Sequence, residues 1–187
     1  MKRLFLLPAI SVVLLSCQDN RVEDSARRQA LKVQGDSITT LAQQTLVKNL
    51  TAAIQKGGYE YAVDFCNVEA ASLTSSAVQY INASIQRISD RNRNPGNALK
   101  TQTDRDVFEH FRKFDNVKDT LALEDNKYVY YKRINLAMPT CMNCHGAPQN
   151  IEPAALARID AHYPRDKAKN YNLNEFRGLW KLAYENE

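Results

Sequence analysis

The chain has 187 residues, a length that fits one domain or at most two small ones. Hydrophobic residues make up 44% and charged residues 25%, which is the balance of a globular protein, and the low Gly and Pro counts exclude a fibrous or low-complexity chain. The net charge of +4 would fall to +2 without residues 1–16, and no dense run of Lys and Arg is present, which argues against a nucleic-acid binder.

The first residues of the chain predict an export signal. Lys2 and Arg3 precede an apolar run over Leu4–Leu15. This run is shorter than the roughly 20 apolar residues that a membrane-spanning helix needs, and it matches the central region of a secretory signal peptide. It ends in Leu14-Leu15-Ser16-Cys17, which is typical of a bacterial lipobox, in which the cysteine is lipidated and becomes the mature N-terminus.

We therefore expect residues 1–16 to be a lipoprotein signal peptide, residues 17–24 to be a polar tether after the lipidated Cys17, and residues 25–187 to form one domain. A plain signal peptide followed by a chance cysteine is the alternative. The lipid chains would hold the domain at a bacterial membrane, on the periplasmic side, in a compartment that permits disulfide bonds.

Hydrophobic residues at helical spacing predict a long helix from Asp24 to about Lys56, which Gly57-Gly58 ends. A second helix is predicted from about Glu60 to near Leu73. Its apolar face, at the spacing of successive helical turns, consists of Tyr59, Ala62, Val63, Cys66, Ala70 and Leu73.

Periodicity and turn residues predict the remaining elements. They are a strand over residues 83–89, a polar loop over 90–97, a short amphipathic helix over 104–114, a hairpin over 118–136 that turns at Asp125-Asn126, a helix over 153–162 and a final strand over 176–184. Because helices come first and an antiparallel sheet interrupted by helices follows, we predict an α+β fold.

Cys141-Met142-Asn143-Cys144-His145 is the Cys-x-x-Cys-His signature of covalent c-type haem attachment. Two thiols at this spacing form thioethers with both vinyl groups of one porphyrin, and the histidine then lies under the iron as its proximal ligand. Attachment takes place after export, in agreement with the predicted signal. A zinc site would need further ligands at comparable local spacing, and a thioredoxin-like pair would open a helix in a βαβ unit. A structural disulfide between Cys141 and Cys144 is the remaining interpretation.

A second axial ligand would have to come from another part of the chain. The candidates are Met138, Met142, His110, His162 and Cys66. No methionine follows His145, so the chain lacks the downstream methionine ligand of familiar small electron-carrying cytochromes. Met138 and Met142 lie within or next to the motif and are poorly placed to reach the opposite haem face. Cys66 is left over once the lipobox and the haem motif have used the other three cysteines, and it is either a ligand or a buried core thiol.

Five stretches of the sequence carry a resemblance to a known family. They are Ala62–Cys66, Ile88–Asn97, Cys141–Gly146, Tyr163–Ala168 and Phe176–Gly178. In this order they resemble the bacterial extracytoplasmic c-type haem sensor domains with a PAS-like fold, a family long known only as a domain of unknown function. The chain departs from the family at residues 172–175, where a Gly-bearing turn is expected.

The resemblance implies a central antiparallel sheet with helices around it, and one haem held between His145 and a thiolate at Cys66. By analogy with the family, the cationic partners of the haem propionates would be Arg87, Arg91 and Arg93, with a solvated basic loop as the alternative. A thiolate ligand favours ferric iron, so the reduction potential should be low.

Two functions follow from this chemistry. On reduction Cys66 would protonate or leave the iron, open a position for O2, NO or CO, and move its helix. The first function is therefore a membrane-anchored sensor of redox state or of a diatomic gas, which signals through a partner protein because the sequence shows no output domain of its own. The alternative is an electron-transfer cytochrome c. An enzyme such as a peroxidase is not expected, since no distal His/Arg pair is recognisable.

Overall fold

The computed structural model describes residues 14–185 of the chain, with side chains described from residue 21 onward. The helices are α1 (Leu14–Ser75), α2 (Gln102–Lys113), α3 (Met142–His145) and α4 (Pro153–His162), and the strands are β1 (Ala83–Ile88), β2 (Asp119–Glu124), β3 (Lys127–Asn135) and β4 (Phe176–Tyr184). Most of the predicted signal peptide, residues 1–13, lies outside the described residues, as does the side chain of Cys17. The predictions for both are therefore untested.

The four strands form one antiparallel sheet in the order β1-β4-β3-β2. The last strand of the chain lies between β1 and β3, so that Leu182 pairs with Ile85 on one side and with Tyr130 on the other. The β2–β3 hairpin turns at Asp125 and Asn126, whose φ values of 49° and 62° are the left-handed values that a tight two-residue turn requires. Together with the long N-terminal helix, this sheet confirms the predicted α+β fold.

Side chains alternate between the two faces of the sheet, and each face packs against a different helix. Against the first part of α1 lie Ile85, Leu121, Tyr130, Trp180 and Leu182. Against α2 lie Ile88, Val129, Tyr131 and Leu179, together with the helix residues Phe108 and Phe111. Gly35 allows α1 to cross close to the sheet, because a Cβ at this position would lie 2.5 Å from Cγ of Tyr130.

The predicted break at Gly57-Gly58 is confirmed. Gly58 has φ 71° and ψ −170°, a backbone region that is essentially restricted to glycine. The break divides α1 into a first part that packs on the sheet and a second part, from residue 59, that packs on α4 through Val63 and Ile159.

The other predicted elements are present with small shifts. The ends of α4 and β4 are as predicted, whereas α2 begins two residues early because Thr101 and Asp104 form a capping box. α1 begins at Leu14, so the backbone of the predicted tether is helical, and no Gly or Pro between residues 14 and 24 stops the helix. The turn at residues 172–175 forms without glycine, because Asn174 adopts φ 65°. In the described part of the chain, no helix has an apolar stretch long enough to cross a membrane.

Candidate functional site

A cavity of about 360 Å³ lies between the second part of α1, the end of β1 with its following loop, and the segment that carries the Cys-x-x-Cys-His motif. Cys66, Cys141, Cys144 and His145 all line it. The structure thus brings together the motif and every cysteine whose side chain is described, although Cys66 precedes the motif by more than seventy residues.

The two motif cysteines lie on consecutive turns of helical backbone, because the 3-10 turn Pro139–Cys141 continues directly into α3. Hydrogen bonds tie these turns to α1: Asn143 Nδ2 donates to the Tyr59 hydroxyl at 2.8 Å, and this hydroxyl lies 3.2 Å from Thr140 Oγ1. Cys141 and Cys144 are free thiols, so the structure does not contain the disulfide of the alternative interpretation.

The imidazole of His145 is oriented by the backbone of the loop before β4. Its Nδ1 lies 2.7 Å from the carbonyl oxygen of Ala168, and since a carbonyl only accepts hydrogen bonds, Nδ1 carries the proton. Burial and the positive charges of Arg93 and Arg177 hold the pKa of His145 well below its usual range. The ring is therefore neutral, with the lone pair on Nε2, which is the form that coordinates a metal.

Cys66 is half-buried on the predicted apolar face of α1, next to the fully buried Ala62. Burial raises the pKa of its thiol, and the positive charges of Arg87 and Arg93 lower it. The thiol is thus protonated near neutral pH unless a further positive charge, such as a metal ion, binds the sulfur.

Arg87, Arg93 and Arg177 line the cavity, and its wall contains no Asp, Glu or Lys. Arg93 has an ion pair with Asp166 at 3.1 Å. Among the described residues, Arg87 and Arg177 have no ion pair and no side-chain hydrogen bond, and burial lowers the pKa of both. The guanidinium group of Arg87 lies 5.9 Å from the ring centre of Trp180, and that of Arg177 lies 5.3 Å from the ring centre of Tyr171. Both arginine side chains are half-buried and line the cavity, so they offer two cations without an anionic protein partner to an anionic occupant.

Arg91, the third predicted propionate contact, does not line this cavity. Its guanidinium group pairs with Glu175 at 3.1 Å, donates to the carbonyl of Lys169, and stacks 3.7 Å from the ring centre of Tyr171. It belongs to a neighbouring cavity beside α2. Arg91 therefore lies outside the cavity that the motif lines.

The other candidate axial ligands lie in different places. His162 pairs with Asp64 at 2.7 Å on the surface, and His110 packs against the ring of Phe114. Met142 packs in an apolar cluster below the motif. Met138 lines the cavity, so it and Cys66 are the two candidates that the structure leaves in place.

Sequence reasoning missed Arg177 and Tyr163, which both line the cavity, and Asp166 behind it. A signal for Arg177 was present, because a charged residue in a strand that is otherwise mostly apolar needs a buried partner. Tyr163 and Asp166 lie in the stretch Tyr163–Ala168, which carries part of the family resemblance, but the resemblance assigned no role to either residue.

The donor set fits a covalently attached haem. The two motif thiols, three residues apart, match the two thioether bonds of such a group. The free Nε2 of the histidine and the thiol on another wall match its axial ligands, and the two unpaired arginines match its propionates. Within the described residues, no group of three or more His, Cys, Asp or Glu is placed to hold a metal ion.

Comparison with known protein families matches residues 18–184 to the Tll0287-like family. Among solved structures, that of the cyanobacterial heme-protein Tll0287 has a TM-score of 0.65 at 18% sequence identity, over 81% of this chain and 92% of that one. At this level of identity the likeness supports the fold. No curated protein matches the chain.

Proposed function

Because the chain belongs to the Tll0287-like family, we propose that it carries one covalent haem c and serves as a redox or diatomic-gas sensor, rather than as an enzyme. A single observation supports the haem most directly: Cys141, Cys144, His145 and Cys66 line one cavity. The heme-protein description of the similar cyanobacterial structure agrees with it.

In this proposal the thiols of Cys141 and Cys144 form the thioether bonds, Nε2 of His145 is the proximal ligand, and Cys66 is the second axial ligand. Arg87 and Arg177 bind the propionates, with Arg93 beside them. When bound, haem supplies an iron that changes oxidation state between these two axial ligands. The thiolate of Cys66 favours the ferric state, so we expect a low reduction potential.

The sensor function rests on the position of Cys66 in the second part of α1, soon after the Gly57-Gly58 break. Release of Cys66 would shift this part of the helix relative to α4. The two helices are joined at the surface by Arg158–Glu60 at 2.9 Å and His162–Asp64 at 2.7 Å. Exposed pairs of this kind contribute only about 0–1 kcal/mol each, so they oppose such a shift weakly. A partner protein would then read the altered surface.

The proposed location is a bacterial membrane, on its periplasmic side, with the protein anchored by lipid on Cys17 after removal of residues 1–16. The lipobox sequence supports this anchor. Mass spectrometry of the mature N-terminus tests it directly: we expect a diacylated or triacylated Cys17, and an unmodified N-terminus would contradict the anchor.

Optical and EPR spectra of the haem-loaded protein test the axial ligands. We expect low-spin thiolate signals in the ferric parent, their loss in Cys66→Ala, and their retention in Met138→Leu, the matched control at the other candidate ligand that lines the cavity. Identical spectra in the parent and Cys66→Ala would remove Cys66 from the iron. Absence of covalent haem from the exported parent would overturn the proposal as a whole.

The ferrous state separates the two functions. Loss of the Cys66 ligand on reduction, followed by binding of CO or NO, would support the sensor. A six-coordinate iron that stays closed to both gases in both oxidation states would instead support the electron-transfer cytochrome.

A further inference from the structure

Residues 163–171 form a loop between α4 and β4 that covers the haem-attachment segment, and we call it the covering loop. Two of its backbone N–H groups bind that segment: Asn170 donates to the carbonyl of Gly146 at 2.9 Å, and Tyr171 donates to the carbonyl of His145 at 2.9 Å. The cofactor proposal above assigns no role to the side chains of this loop.

Asp166, a residue of the covering loop with a buried carboxylate, is linked through Ala168 to the ring of His145 and through Arg93 to the backbone of Cys144. Its side chain is 1% exposed, and its Oδ1 accepts the N–H of Ala168 at 2.8 Å. The carbonyl of Ala168 in turn accepts the Nδ1 proton of His145 at 2.7 Å. On the other side, Oδ2 of Asp166 lies 3.1 Å from Nη2 of Arg93, and the same nitrogen donates to the carbonyl of Cys144 at 2.5 Å.

We propose that Asp166 is a positioning residue for the proximal histidine. By holding the backbone of Ala168 it fixes the acceptor of the His145 proton, and therefore the orientation and the electron donation of the imidazole toward haem iron. This inference rests on the proposed haem function.

Two physical arguments support this role. Groups that hydrogen-bond to a metal-binding histidine set its tautomer and its basicity, and their loss commonly costs about 10–100-fold in metal affinity or activity. A carboxylate that is almost fully buried also needs its hydrogen bonds, because it has no water to replace them. Asp166 therefore has little freedom to move, and neither has the carbonyl that it positions.

Two conservative variants separate the hydrogen bond of Asp166 from its charge. Asp166→Asn removes the charge but keeps an oxygen that accepts the N–H of Ala168. Asp166→Glu keeps the charge beside Arg93 but displaces the acceptor oxygen by one methylene. Glu152→Gln is the charge control, since Glu152 is exposed at the start of α4.

The measurements are the ferric EPR g values, which report the axial-ligand geometry, and the reduction potential. We expect Asp166→Glu to change the g values and to raise the ferrous-to-ferric ratio at a fixed applied potential about tenfold, which is about 59 mV for one electron. Asp166→Asn should keep the parental g values and shift the ratio less, and Glu152→Gln should change neither.

The opposite pattern, with parental g values in Asp166→Glu and altered ones in Asp166→Asn, would overturn the positioning role and leave only an effect of charge. Parental g values and potential in both variants would also overturn it. Covalent haem is measured first in every sample, because its absence from the parent would be a failure of the proposed function and not of this inference.

Discussion

At the scale of single residues, the cations of the cavity differ in their partners. Arg93 has the carboxylate of Asp166 within 3.1 Å, whereas Arg87 and Arg177 have no ion pair in the described part of the chain and lie over the rings of Trp180 and Tyr171. Both arginine side chains are half-buried, so each guanidinium group keeps part of its hydration and can pair with an anion in the cavity. We therefore expect an anionic occupant of the cavity to make its strongest electrostatic contacts with these two side chains.

We expect Arg177→Gln to lower the reduction potential of the haem-loaded protein, because removal of a positive charge beside the cavity favours the more positive ferric state. A threefold to tenfold change in the ferric-to-ferrous ratio corresponds to about 30–60 mV for one electron. Spectroelectrochemical titration measures the shift.

Arg91→Gln is the matched control, since it removes the same charge from an arginine that pairs with Glu175 outside the cavity. Its shift should be less than half as large. Equal shifts in the Arg177 and Arg91 variants would indicate that total charge, and not a contact in the cavity, determines the potential.

At the scale of secondary structure, the break in α1 allows one long helix to pack in two directions. The first part follows the sheet through residues such as Ala42, and the second part follows α4 and presents Cys66 to the cavity. A straight helix could not satisfy both contacts. The backbone at Gly58 has the conformation that makes the change of direction possible.

Gly58→Ala should reduce the free energy of unfolding by about 1–3 kcal/mol, because an L-residue is strained at φ 71° and ψ −170°. Space is not the reason, since a Cβ at this position meets no atom within 4 Å. Urea denaturation followed by circular dichroism measures the change.

Gly96→Ala serves as the reference, since Gly96 is exposed and has no positive φ. A Gly-to-Ala exchange at a compatible site stabilises by about 0.4–1 kcal/mol, and a Cβ at Gly96 would lie 3.2 Å from Asn94 Oδ1, so we expect the two effects to leave a net change of less than about 1 kcal/mol. A Gly58→Ala protein as stable as the reference would show that the break does not depend on the glycine conformation.

At the scale of the whole molecule, a buried charge network joins α2 to three strands on the sheet face opposite α1. Asp104, at the start of α2, accepts hydrogen bonds from Lys181 Nζ at 2.7 Å and from the Tyr131 hydroxyl at 2.9 Å. Lys181 also bonds Glu124 at 2.9 Å. Because all partners are buried or nearly so, this network couples the docking of α2 to the assembly of the sheet.

Asp104→Asn should cost about 3 kcal/mol near neutral pH, since removing one partner of a buried ion pair leaves the buried Lys181 with Glu124 as its remaining carboxylate partner. Burial alone would raise the pKa of Asp104, but hydrogen bonds from Lys181, Tyr131 and the Lys100 backbone lower it below its usual value. The stabilisation by the carboxylate is therefore complete above the unfolded-state pKa of about 3.9 and is lost as the pH falls through the lower folded-state pKa.

The stability difference between the parent and Asp104→Asn should thus narrow below about pH 4. Urea denaturation at a series of pH values measures it, with Asp106→Asn as the control at an exposed position on the same helix. A difference that stays constant with pH would contradict the role of the ionised carboxylate.

The sequence by itself determined the features that depend on neighbours a few residues apart. The ends of α4 and β4, the hairpin at Asp125-Asn126 and the break at Gly57-Gly58 follow from backbone preferences that act locally. The Cys-x-x-Cys-His motif belongs to the same class, because its chemistry depends only on the spacing within one helical turn. The fold class was predictable because these local patterns give the order of helices and strands along the chain, and that order indicates an α+β fold.

Only the tertiary structure decided which distant residues share the cavity. It brought Cys66 and Arg177 to the motif, excluded Arg91, and placed Asp166 behind His145. These contacts depend on the insertion of β4 between β1 and β3, on the direction of α1 after its break, and on the path of the covering loop. Such contacts arise from the packing of whole elements, and the pattern of side chains along any one of them does not specify its neighbours in space.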